Sequence, residues 1–313
     1  MIWTDLAWRE SAIAWISRHV EVAGEIEQPH VRPWATAMRV PTPAGAVWFK
    51  ASIPLLAHEG AVVEVLARRQ PDLVPELIAL DRASGWMLQR DAGTRLRELA
   101  AGRELLDRWA ELLPLYADLQ LDAAVDRDVF LDAGAPDRRL AALPSAYARL
   151  VEDVGGALSA DERRAAHALE VERLCDELAA PGVPETIQHD DFHDGNVFVR
   201  DGRYVFFDWG DACVSHPFFT LVVTLGSVGY GLELGDDAPE LARLRDAYLE
   251  PWTRFAPLAA LRDVFPIAHL LGRVCRALAW SELSPKLPPP FDEEYVVGAV
   301  EHLRAALAEA AVV

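Results

Sequence analysis

"VPETIQHDDFHDGNVFV", residues 183–199, sets three aspartates and two histidines between apolar, β-prone flanks and closes on Gly195-Asn196. Asn196 is the only asparagine in 313 residues, so this position suits that side chain in particular. Three chemistries compete for the stretch. His189 and His193 stand four apart, as in the zinc motif H-E-x-x-H, but that motif needs a helix to bring both imidazoles to one side. The Gly195-Asn196 turn signal and the β-branched neighbours oppose a helix here. A histidine-aspartate phosphohydrolase would use His189-Asp190 with distant ligands on metal-binding helices, and no such helices can be picked out. The third reading is His189-x-Asp191-x4-Asn196, the spacing of the kinase catalytic loop H-R-D-x-x-x-x-N.

Working outward favours the third reading. Downstream, "VFFDWGD" places Asp208-Trp209-Gly210 where a kinase carries D-F-G, after a β-prone run. Upstream, "VWFK" at 47–50 stands where a kinase carries V-A-I-K on its third strand. Each element alone is weak, and their order in matching contexts makes the set specific. Phosphoryl transfer spreads negative charge over the γ-phosphate and the leaving oxygen, so the protein supplies position and positive charge. Asp191 would orient the acceptor hydroxyl and take its proton. Asn196 and Asp208 would hold Mg²⁺, a hard cation that prefers oxygen ligands. Lys50 would meet the phosphates that are not transferred. The chain has only two lysines, Lys50 and Lys286, against 28 arginines, which makes a lysine in this strand harder to dismiss.

Plain structural roles stand beside these. Lys50 can be a solvated strand residue, Asn196 a turn residue tolerant of the left-handed region and Asp208 a helix cap. His189 and His193 read as loop braces. Asp190, Asp194 and Asp211 have no role in the general kinase scheme.

The rest of the chain frames the motifs. Residues 5–18 read as a short amphipathic helix. The stretch 20–54 alternates β-prone runs with turn signals and reads as three antiparallel strands, the last near 46–52. "HEGAVVEVLARR" has helical period, and "ELIALDRASGWMLQRDAG" reads as two strands about a turn at 83–85. From Thr94 onward long helical segments dominate, among them "LRELAAGRELLDRWAELLPLYADLQ" and "ADERRAAHALEVERLCDELAA". Two domains are expected: residues 1–93, a sheet with one inserted helix, and residues 94–313, mainly helical and carrying the loop. The Pro-rich "SPKLPPPFDEE", 284–294, reads as a surface loop and candidate lid.

Composition excludes other classes. Half the residues are apolar (51%) and a quarter charged (25%), as in a globular protein. No 18-residue uncharged apolar run occurs, and the N-terminus carries acids where a signal peptide needs bases, so no membrane partner and a cytoplasmic location are expected. A net charge of −19 opposes nucleic-acid binding. Residues 1–93 hold 9 basic and 11 acidic side chains, the remainder 21 and 38, so the helical part is the acidic one and would draw cations. Cys175, Cys213 and Cys275 are too scattered for a disulfide framework or metal clip.

The loop resembles that of the aminoglycoside phosphotransferase-like small-molecule kinases, whose members carry H-G-D-x-H-x-G-N followed by a D-W-G or D-F-E type motif. Here these are His189 to Asn196 and Asp208 to Asp211, and the second histidine and the Gly-Asn pair separate the chain from protein kinases. The resemblance implies an α+β, bilobal protein-kinase-like fold. It implies Asp191 as base, Asn196 and Asp208 as Mg²⁺ ligands, and Lys50 as the phosphate-binding lysine. "HEGAVVEVLA" looks like the family's E-A-A-x-L-x-x-L-A, which selects Glu59 as the partner of Lys50, with Glu64 as the fallback. "WMLQRDAG" looks like the hinge, where Gln89 and Asp91 would meet adenine through backbone atoms. Two departures stand out: no glycine-rich loop precedes Lys50, the hairpin tip being "EQPHVRP", and Asp190 replaces a common glycine. The implied activity is transfer of the γ-phosphate of ATP or GTP to a hydroxyl of a small polar acceptor, including a cationic one. The alternative is a pseudokinase or nucleotide-binding module without turnover.

Overall fold

The structure, a computed structural model, describes residues 2–311. The chain divides into two compact units: residues through Thr94 with Phe198–Gly210, and Arg95–Val197 with the chain from Asp211 onward.

The first unit is built on a sheet of β1 (Glu27–Val31), β2 (Ala35–Thr42), β3 (Gly45–Ser52), β4 (Leu77–Asp81) and β5 (Trp86–Arg90), ordered β1-β2-β3-β5-β4. Neighbouring strands are antiparallel throughout. Alternation along β3 decides its two faces. Val47, Phe49 and Ala51 are buried in a core with Trp3, Trp15 and Met38, which leaves Trp48 and Lys50 to the opposite face. Helix α1 (Leu6–Ile16) covers the core side, its first turn capped by the Asp5 side chain, which accepts from the Trp8 N–H at 3.0 Å. Trp15 and Trp86 pack on Phe49 with ring centroids 5.7 and 5.6 Å away, contacts worth about 0.5–1.5 kcal/mol each beyond their buried area.

The first hairpin turns at Arg32–Trp34, because residues 27–31 of the expected tip lie in β1. A bulge between Glu27 and His30 accommodates Pro29, which has no N–H to give the ladder. His30 thereby comes into register with Ala37, and Ala37 with Lys50, on one face of the sheet.

Helix α2 (Glu59–Ala67) follows β3. It lies close to β4 because Gly60 has no side chain: a Cβ there would stand 2.4 Å from Leu80 Cδ1. The hairpin of strands Val197–Arg200 and Arg203–Phe206 turns on Asp201-Gly202, with φ of 52° and 75°, the left-handed pair that a two-residue turn demands. The Phe206 N–H donates to the Leu73 carbonyl at 2.7 Å, tying this hairpin to the first stretch of its unit.

The second unit is mainly helical. The expected helix from Leu96 breaks into Leu96–Leu99 and Gly102–Ala123, since Ala100 and Ala101 are extended and Gly102 takes a φ of 56°. "ADERRAAHALEVERLCDELAA" likewise divides into Ala160–Ala168 and Val171–Ala179, the first with a Ser159/Glu162 capping box. Helices Leu143–Val154, Leu221–Gly231 and Pro239–Leu249 were not read from the sequence. Leu258–Leu283 runs through Pro266 and packs on Phe291–Ala310. The Pro-rich surface loop shrinks to residues 287–290, because Ser284–Lys286 is a short 3-10 helix and a helix starts at Phe291. No single helix among the described residues is long and apolar enough to cross a membrane.

Two short strands position the loop. Thr186–Gln188 pairs antiparallel with Cys213–Ser215, Gln188 opposite Cys213. The chain leaves the first strand into residues 189–196 at the end where Asp211 enters the second, so the register alone gathers Asp190, Asp191 and Asp211. Cys213 and Cys275 are free, buried thiols with sulfurs 3.8 Å apart.

Candidate active site

In the first unit Lys50 is the centre. Its Nζ lies 2.8 and 2.7 Å from the two carboxylate oxygens of Glu59 and 2.5 Å from Asp208 Oδ1. Glu59 therefore stands at Lys50, while Glu64 pairs with Arg68 and Arg82. Burial opposes the ammonium, but Asp208 and Glu59 outweigh it and hold the Lys50 pKa above its ordinary value. Asp208 adopts a φ of 64°, a left-handed conformation that aspartate tolerates better than most residues. The next residue, Trp209, is fully buried and donates from Nε1 to the Phe206 carbonyl at 2.9 Å, which fixes the start of the turn. Half of the Asp208 side chain stays exposed (50%), leaving carboxylate surface available beyond the lysine.

Gln89 and Asp91 lie at and just beyond the end of β5. Gln89 is buried opposite Trp48, and its amide oxygen has no hydrogen bond among the described residues. Asp91 accepts from Trp48 Nε1 at 2.8 Å and from the Gly93 N–H at 2.8 Å, and its carbonyl accepts from Arg200 at 2.8 Å. Asp91 thus acts as a local tie whose backbone oxygen is already engaged.

In the second unit the loop is not helical, and its histidines do different things. His189 is fully buried, its backbone N–H donating to the Tyr116 hydroxyl at 3.0 Å. His193 Nδ1 accepts from the Gly195 N–H at 3.0 Å and lies 2.9 Å from Arg97 Nη2. Its Nε2 lies 3.4 Å from Asp191 Oδ2, so the imidazole links Asp191 to the turn at Gly195. Residues 189–196 form no helix, so His189 and His193 lack the shared helical face that the spacing of the zinc motif requires.

Asn196 Nδ2 donates to the Asp191 carbonyl at 2.9 Å and to Asp191 Oδ2 at 3.1 Å. This pins the amide so that its oxygen faces away from the aspartate. Asp191 Oδ1 is held at 2.8 Å by Arg276 Nη2, from the helix Leu258–Leu283. Burial pushes the Asp191 carboxyl up, yet Arg276 and then His193 pull harder and hold it well below the usual carboxylate range. Arg276 also meets Asp211 at 3.1 Å and Asp190 at 3.4 Å. Asp190 has a φ of 59°, where glycine is at ease, and burial pushes its carboxyl up to about 6 against the pull of Arg276. Asp194 pairs with Arg97 at 2.7 Å.

The structure thus brings together Lys50, Glu59 and Asp208 in one unit, and Asp191 and Asn196 in the other. The three aspartates without a role in sequence find theirs as partners of arginines. Arg276 and Arg97 were missed: each is one of 28 arginines and lies 65 or more positions from its partners, with no local spacing to betray it.

Comparison with solved structures defines the class. The chain is similar to a choline/ethanolamine kinase family protein from Mesorhizobium loti, at 18% identity and a TM-score of 0.63, covering 96% of this chain and 98% of that one. It is similar to an aminoglycoside 2'-phosphotransferase in its GDP complex (12%, TM-score 0.62, 96% and 97%). It is also similar to a macrolide 2'-phosphotransferase from Brachybacterium faecium (17%, TM-score 0.59, 96% and 97%). The fold is therefore kinase-like, an antiparallel sheet part followed by a larger helical part. The sequence model described as "Phosphotransferase enzyme family" matches residues 38–258, and the chain belongs to that family. It is a small-molecule kinase. No curated protein matches it in sequence.

Proposed function

We propose that the protein transfers the γ-phosphoryl group of ATP or GTP to a hydroxyl of a small polar acceptor, a cationic amino alcohol or amino sugar being the favoured kind. Asp191 is the base. The acceptor oxygen bonds to the γ-phosphorus as the bond to the bridging oxygen breaks. The electron pair leaves with the nucleoside diphosphate, and the hydroxyl proton passes to Asp191. Lys50, kept protonated by its two carboxylates, meets the phosphates that stay behind, and Glu59 holds it there. Gln89 and Asp91 border the base of the nucleotide. Without a glycine-rich loop, phosphate contacts at the first hairpin would come from other backbone N–H groups or from a side chain such as His30 or Arg32.

Asn196 and Asp208 are proposed as the Mg²⁺ ligands. The fit rests on their donors: an amide oxygen turned outward by two hydrogen bonds of its own nitrogen, and a half-exposed carboxylate. Few protein ligands are what Mg²⁺ requires, since water and phosphate complete its shell. When bound, the ion neutralises charge on the β- and γ-phosphates.

The observation that carries the reading is the Asp191–Asn196 hydrogen bond, which ties the base to a ligating amide within one eight-residue loop. The acidic second unit, and the kanamycin bound by one similar structure, support a cationic acceptor. Asp191→Ala tests it: phosphoryl transfer should fall by about 10²–10⁴-fold, the usual worth of a positioned base, while nucleotide affinity holds. Turnover at the wild-type rate would remove Asp191 as the base.

A further inference from the structure

The family match ends at residue 258, yet the side chain that grips the proposed base comes from residue 276. Arg276 is only 7% exposed and faces three carboxylates. A buried guanidinium is stable only when its charge and donors are matched. Here one nitrogen, Nη2, reaches Asp191 Oδ1 at 2.8 Å, and the other, Nη1, reaches Asp211 at 3.1 Å and Asp190 at 3.4 Å. The division of labour is that of a rigid fork, which a lysine cannot reproduce.

The fork is held from behind as well. The Trp280 ring lies 5.6 Å from the guanidinium carbon, one helical turn along the same helix. Trp280 is in turn packed by Tyr295, with ring centroids 4.7 Å apart. The helix Phe291–Ala310 comes this close because residue 298 is glycine: a Cβ there would lie 2.0 Å from the indole ring. Asp190 is held in its place by Gln188, whose Nε2 donates to its carboxylate at 2.8 Å while its Oε1 accepts the Asp190 N–H at 2.8 Å. Helix, indole and carboxylates therefore fix the guanidinium independently of Asp191.

The consequence falls on Asp191. One of its oxygens is taken by Arg276 and the other receives Asn196, which sets the plane of the carboxylate. Its side chain is still 28% exposed, so an acceptor hydroxyl can reach it. Without the guanidinium, Asp190, Asp191 and Asp211 would face one another as like charges and turn apart. We infer that Arg276 is a positioning residue for phosphoryl transfer: anchored by Asp190 and Asp211, it fixes the orientation of the Asp191 carboxylate. The inference rests on the reading of Asp191 as the base.

The test needs no identified acceptor, because water serves as the probe. Single-turnover release of phosphate from Mg·ATP is measured for the wild type, R276K, R276Q, D191N and D191N/R276Q, with ATP affinity measured alongside. R276Q should slow release by about 100-fold, the effect of misplacing a reacting group by roughly 1 Å, at unchanged ATP affinity. R276K, which keeps the charge and loses the fork, should fall between R276Q and the wild type. D191N should be slow, and D191N/R276Q no slower, since Arg276 acts through Asp191. A slow D191N beside a wild-type R276Q overturns the positioning role and leaves the base intact. Multiplying losses in the double variant also overturn it, because Arg276 then acts apart from Asp191. D191N at the wild-type rate sinks the base reading itself. If R276Q does not fold, R276K decides, since it still supplies a buried cation to Asp190 and Asp211: a wild-type rate overturns the inference.

Discussion

Replacing Lys50 by methionine separates the structural from the chemical part of its role. Lys50 and Glu59 have side chains only 12% and 5% exposed and approach to 2.7 Å, so solvent screens the pair little. Removing the lysine leaves Glu59 buried beside an apolar chain. Breaking one side of a buried pair costs about 3–5 kcal/mol, and the lower end applies because Glu59 can escape by taking a proton. Lys50→Met should therefore lose about 3 kcal/mol in urea unfolding near neutral pH. Adding Glu59→Gln removes the stranded charge and should return most of that loss. Activity should behave differently: with no cation for the phosphates, transfer falls by about 100-fold or more in both variants, as for other preorganised donors to developing charge. A double variant no more stable than Lys50→Met would refute the buried-pair argument. Restored transfer in the double variant would refute the contact between Lys50 and phosphate.

Three further outcomes are expected. Asp208→Ala should bind nucleotide weakly and be insensitive to EDTA, whereas chelation should weaken the wild type; equal Mg²⁺ sensitivity in both would remove Asp208 as a ligand. His216 is 1% exposed, and burial pushes its pKa down to about 3. Below the unfolded pKa of about 6.5, the unfolded chain takes a proton that the folded chain refuses, so stability falls with pH by up to about 1.4 kcal/mol per unit until the folded pKa is reached. His216→Gln should flatten that slope in urea unfolding at pH 7 and pH 5, and an unchanged slope would reject the assignment. Gly298→Ala forces a methyl onto the rigid Trp280 ring and should cost about 1–3 kcal/mol of overpacking; a wild-type melting temperature would mean that the two helices part without strain.

The parts of the molecule legible in sequence are those governed by local rules. Strands β2 to β5 follow from alternation and turn residues; Lys50, Asp191, Asn196 and Asp208 are singled out by spacing within short motifs, and Glu59, which the family resemblance selects over Glu64, stands at Lys50. The first hairpin tip was misplaced because Pro29 reads as a turn residue, whereas a bulge absorbs it within β1. The helical breaks at residues 100–101 and 169–170 were lost because alanine, leucine and glutamate are good helix formers and only the tertiary fold overrides them. Helix Leu221–Gly231 has little polar patterning to mark it, lying largely buried. Asp190, Asp194 and Asp211 looked idle because their partners, Arg276 and Arg97, are brought to them by long-range packing. Arg276, which holds Asp191, likewise comes from a helix far along the chain.

The most direct measurement is ³¹P NMR of the protein with Mg·ATP or Mg·GTP and a panel of hydroxylated amines, ethanolamine, choline and kanamycin among them. The account predicts a new phosphate monoester resonance from at least one acceptor, formed in step with nucleoside diphosphate and absent with Asp191→Ala. Nucleotide that binds without a phosphorylated product across the panel, or a product that forms equally with Asp191→Ala, would contradict it.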